Sequence, residues 1–113
     1  MAKTPEGKVK DQVKAVLNSY GAYYFMPVQT GYGAPGLDFH CCHHGYAFFV
    51  ETKAEGKKLT PRQEATVRAI EAAGGRFFLV SNSAQLELLT GWLESVTTEL
   101  EFDASLYRGE IDQ

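Results

Sequence analysis

The chain has 113 residues, of which 44% are hydrophobic and 22% charged, so it suits one small globular domain and is too apolar for a disordered chain. The net charge of -3 excludes a uniformly basic protein, but residues 1–82 carry ten of the eleven Lys and Arg against seven acids, while 83–113 carry seven acids against Arg108 alone. The apolar runs at 47–50 and 77–80 are far too short to cross a bilayer, the N-terminus lacks the apolar core of a signal peptide, and the adjacent Cys41 and Cys42 offer no disulfide framework. A cytoplasmic protein with no membrane partner is expected.

Thr4-Pro5 reads as an N-cap followed by proline at the first helical position. Val9, Val13, Val16 and Leu17 then recur at helical spacing up to a stop near Gly21. Tyr23, Tyr24, Phe25, Met26 and Val28 suit a strand, and residues 30–36 are loop by composition. Residues 37–42 and 46–53 read as a hairpin about His43-His44-Gly45. Thr60-Pro61 starts a second helix, with Val67, Ile70 and Ala73 inward and Gly74-Gly75 as its stop. Residues 77–80 form a buried strand, expected to lie parallel to the strand at 46–53 because a helix joins the two. Ser83 is positioned to cap a third helix carrying Leu86, Leu89, Leu93 and Val96 on one face. The expectation is an α/β chain with an α+β mixed sheet, one domain over 1–96, and an acidic tail over 97–113 that is docked, a dimer arm or a solvated appendage.

The chemistry-bearing residues lie at the ends of the two hairpin strands. Strand alternation puts Glu51 and Lys53 on one side and turns Thr52 away, while Asp38 opens the neighbouring strand. Asp38 and Glu51 are the oxygen ligands that a hard cation such as magnesium takes, and Lys53 is a charge that complements a phosphate under attack. Read by itself, the triplet also fits an ordinary salt bridge at a strand end. Thr60-Pro61-Arg62-Gln63 has the pattern of a capping box, and Glu6 occupies a first helical turn, where the dipole favours any acid.

Gly33-Ala34-Pro35-Gly36-Leu37-Asp38, followed by Glu51-Thr52-Lys53-Ala54 and Lys58-Leu59-Thr60-Pro61-Arg62-Gln63, resembles the VRR-NUC family of the PD-(D/E)XK nuclease superfamily, over about residues 5–80. The resemblance implies a restriction-endonuclease-like core in the order αβββαβ plus a C-terminal helix. It further implies Mg2+ dependence with Mn2+ as a substitute, and DNA endonuclease activity. Compact members of this kind are typical of bacteriophages and bacteria, which implies the host cytoplasm if the chain is phage-encoded. A homodimer acting on branched DNA such as a four-way (Holliday) junction is also implied. Carried over, Asp38 and Glu51 match the metal-binding acids, the Thr52 backbone carbonyl a further ligand, Lys53 the catalytic lysine, and Gln63 the glutamine near the active site. Glu6 is similar to an N-terminal acid that completes the metal site. The chain departs from the pattern at Leu37, where the family name implies proline.

Lys8, Lys57, Lys58, Arg62 and Arg68 flank the expected site as candidates for phosphate contacts, and Tyr32 as one for stacking on an unpaired base. Each of these basic residues alone is more often a solvated surface charge, and Tyr32 also fits simple packing over the loop. Cys41-Cys42-His43-His44 invites a zinc reading, but neighbours on a strand point to opposite faces, so Cys41 is assigned to the core and the histidines to an exposed turn. The rival from another class is a non-catalytic DNA-binding or assembly module that keeps the nuclease-like fold.

Overall fold

A computed structural model of the chain describes residues 3–28, 36–97 and 108–109. The order is α1 (Pro5–Ser19), β1 (Tyr23–Phe25), β2 (Phe39–His43), β3 (Tyr46–Thr52), α2 (Pro61–Ala72), β4 (Arg76–Val80) and α3 (Ser83–Thr97). The strands lie in sequence order in one sheet, β1-β2-β3-β4. The first two pairings are antiparallel, and β3 with β4 is parallel, as the α2 crossover predicts. This is the expected α+β mixed-sheet architecture.

Both Thr-Pro sequences start helices. The Thr4 hydroxyl accepts the Gly7 N–H at 3.0 Å, and the Thr60 hydroxyl accepts that of Gln63 at 3.1 Å. The third cap differs from expectation: the Asn82 side chain accepts the Gln85 N–H at 2.9 Å, so Asn82 rather than Ser83 starts α3. Asparagine is among the best N-caps, and the neighbouring serine made the two hard to separate by sequence. The strand expected across 23–28 stops at Phe25, two residues before Pro27, which has no N–H to give a ladder. His43 is the last residue of β2, paired with Tyr46, so the turn contains only His44 and Gly45, with φ of 49° and 87°. Two positive φ values are what a tight hairpin with right-twisted strands requires. His43 is therefore buried at 4% exposure, against its expected place in an exposed turn.

The core lies on one face of the sheet. Val13 and Leu17 of α1 and Leu89 and Leu93 of α3 pack with Phe39, Cys41, Phe48, Val50 and Val80. Trp92 joins them, its ring centroid 5.0 Å from that of Phe48 and 5.3 Å from that of Phe78. Cys41 takes the expected core position, and burial pushes its thiol up to about 12. Among the described residues the opposite face is only partly covered. Ile70 of α2 and Phe49 of β3 both lie close to Gly75 there, while Ala73, expected inward, is the exposed C-cap because the helix ends one residue before it. At the β1 edge Tyr23 and Phe25 are 65% and 54% exposed. No helix among the described residues is long and apolar enough to cross a membrane. The domain limits expected at 96 and 97 rest on a tail that, apart from Thr97, Arg108 and Gly109, lies outside the described residues.

Candidate active site

The hairpin register pairs Phe39 with Val50, so Asp38 stands opposite Glu51 just beyond the last ladder pair. Leu37 is fully buried and anchors the approach to this point, where the family pattern has proline. The Asp38 backbone holds Glu51, and Thr52 holds the Asp38 carboxylate. The Asp38 N–H donates to Glu51 Oε1 at 3.0 Å, while Asp38 Oδ2 accepts the Thr52 N–H at 2.9 Å and the Thr52 hydroxyl at 2.6 Å. Thr52 was expected to turn away from the site. Its side chain does lie on the other face from Glu51, but Asp38 reaches round the strand end to meet it.

Gln63 forms the expected capping box and touches Glu51 with the same side chain. Its Oε1 accepts the Thr60 N–H at 3.0 Å, and its Nε2 donates to Glu51 Oε2 at 2.9 Å. The backbone donor at Thr60 fixes which end of the amide is oxygen, and so the NH2 group must face the carboxylate. Lys53 Nζ lies 3.7 Å from Glu51 Oε2, and the two side chains are 16% and 6% exposed. The sheet end thus brings Asp38, Glu51, Thr52, Lys53 and Gln63 together.

Lys10, which sequence reading passed over, enters from α1. Its Nζ lies 3.5 Å from Asp38 Oδ1 and 3.5 Å from Glu6 Oε2. Glu6 therefore touches the group through Lys10, one turn later on the same helix. The available signal was the i,i+4 spacing of Glu6 and Lys10. Lys8, Lys57, Lys58, Arg62 and Arg68 are exposed, whereas Tyr32 lies outside the described residues.

Electrostatically, Glu51 is the strained member. Burial, and next the facing Asp38 carboxylate, push its carboxyl up to about 7, against the weaker opposing pull of the Asp38 N–H, Lys53 and Gln63. Two close carboxylates with this conflict suit a divalent cation, which would remove the repulsion. No three His, Cys, Asp or Glu side chains converge as a metal cage among the described residues. The donor set at the sheet end is two carboxylates with neighbouring backbone oxygen, which suits magnesium, an ion that usually keeps several waters. It does not suit zinc, and Cys41 and Cys42 are respectively buried and exposed.

No family model matches the chain, and no curated protein matches it. Among solved structures it is similar to one described as a "VRR_NUC domain", with 27% sequence identity and a TM-score of 0.66, over 79% of this chain and 97% of that one.

Proposed function

We propose that this chain, a nuclease-like domain that its fold and structural match assign to the VRR-NUC family, is a divalent-metal-dependent endonuclease that hydrolyses DNA phosphodiester bonds. The observation that carries the reading is the chain of contacts at the sheet end: the Asp38 N–H on Glu51, the Thr52 N–H on Asp38, and the Lys53 ammonium 3.7 Å from Glu51. Buried Glu51 facing the half-buried Asp38 at a sheet end carries a desolvation and repulsion cost that a bound cation would relieve.

In this reading Asp38, Glu51 and the Thr52 carbonyl hold Mg2+, or Mn2+ in its place. The cation supplies charge neutralisation at the phosphate and a more acidic water. Thr52 keeps the Asp38 carboxylate aimed, and Gln63 keeps that of Glu51 from rotating. Lys53 places its positive charge where negative charge grows on the phosphoryl oxygens. Lys8, Lys57, Lys58 and Arg62 contact flanking phosphates, and Tyr32 a base. The family resemblance favours branched DNA such as a four-way junction and a homodimer, and the exposed Tyr23 and Phe25 face offers apolar area for such a contact.

The test is a cleavage panel of single-stranded, duplex, flap and four-way-junction DNA, with Mg2+, Mn2+ or chelator. Cleavage is expected only with a divalent cation, and to fall by roughly a hundredfold or more in Glu51→Ala and Lys53→Ala. Cleavage that persists in these variants overturns the site. A binding-only module cuts none of the substrates under any condition.

A further inference from the structure

The hydrogen bonds around Asp38 leave one oxygen for a cation. Oδ2 is occupied by both donors of Thr52, at 2.9 and 2.6 Å. Oδ1 faces Lys10 at 3.5 Å, a separation too long for a tight charge-assisted hydrogen bond. The same ammonium is equally far from Glu6 Oε2, and the Lys10 side chain is 31% exposed, so it is neither a solvated surface charge nor a saturated buried pair. Lys53 serves the Glu51 side, which leaves Lys10 as the cation at the Asp38 corner.

We propose that Lys10 is a positioning residue that acts as a built-in counter-cation for Asp38 and Glu6, and so sets how tightly the site takes a divalent ion. This rests on the metal-site reading above. In the metal-free chain Lys10 balances two carboxylates that would otherwise repel, keeping Asp38 Oδ1 turned toward α1. A divalent ion on Asp38 must share that oxygen with the ammonium or drive it back toward Glu6. Its binding is therefore opposed by a positive charge a few ångströms away, in a partly desolvated place where screening by salt is weak. Glu6 then contributes by holding Lys10 near the site, as a partner one helical turn away. That differs from the direct metal ligand suggested by the family resemblance.

The experiment measures Mn2+ binding without DNA, by the electron paramagnetic resonance signal of free Mn2+, on the full chain. Lys10→Met keeps the aliphatic stem and removes the charge, and should tighten binding roughly tenfold, the ratio that corresponds to about 1.4 kcal/mol. Lys10→Arg, which keeps the charge, should stay close to the native chain. Lys14→Met is the control for a general change in charge and should shift the affinity far less. Far-UV circular dichroism establishes that each variant is folded, and Lys10→Gln provides a second neutral variant if methionine is not tolerated. Unchanged or weaker Mn2+ binding in folded neutral variants overturns the proposal while leaving the metal site intact. Absence of Mn2+ binding by the native chain, or binding that survives Asp38→Asn, overturns the metal site itself and this proposal with it.

Discussion

Glu51 is 5% exposed and faces Asp38, and its carboxyl is pushed up to about 7 from an ordinary value of 4.5. Because the folded state holds this proton more tightly than the unfolded chain, the folded state binds more protons between those values, and stability falls as pH rises through them. The contribution is complete below about 4.5 and gone above about 7. In chelator, thermal melts should show a loss on the order of 3 kcal/mol from this group across that window. Glu51→Gln should flatten the profile, and Mg2+ should restore stability at the upper end by binding the ionised pair. A native profile that does not fall across the window would contradict the assignment. At the same scale, the acids and Lys53 were visible as residue types at strand ends. The hydroxyl of Thr52 and the ammonium of Lys10 were not, since both gain their role from a carboxylate 14 and 28 positions away in number (52 - 38 and 38 - 10).

Among the elements, α2 couples stability to the site through one cap. The Thr60 hydroxyl and the Gln63 amide satisfy each other's backbone donors, and the same amide reaches Glu51. Thr60→Ala should cost about 1 kcal/mol of stability, read by denaturant melts. It should also lower cleavage, because Gln63 loses part of the contact that orients it, whereas Ser at this position should preserve both properties. Loss of stability with fully retained cleavage would assign Gln63 to capping alone. Helix starts were legible because a cap is settled within four residues. The asparagine start of α3 and the short β1 were less so, since neighbouring polar residues compete for the cap and a strand's end depends on what lies beside it.

At the scale of the whole molecule, the described residues cover the sheet thickly on the α1 and α3 face and thinly at the β1 edge of the other. Tyr23 and Phe25 pair there with Cys42 and His40, and the Phe25 and His40 rings lie 6.5 Å apart. If this face joins two copies, Phe25→Glu should weaken the dimer by roughly tenfold or more in sedimentation velocity, through loss of apolar area and burial of a charge. A native chain that sediments as a monomer with and without DNA removes the dimer from the proposed function.

Alternation and local caps were enough, in the sequence by itself, to specify the helices, the hairpin, the parallel crossover and the strand-end position of Glu51 and Lys53. The helices, the hairpin and the strand-end position depend on side chains a few residues apart, where backbone geometry sets the spacing, and the parallel pairing on the helix that joins the two strands. Only the tertiary structure decided that Asp38 meets Thr52, that one glutamine serves both a cap and an acid, and that Lys10 stands between Glu6 and Asp38. Those contacts join separate elements, and their distances follow from strand register and from the way α1 packs on the sheet, which no local pattern encodes.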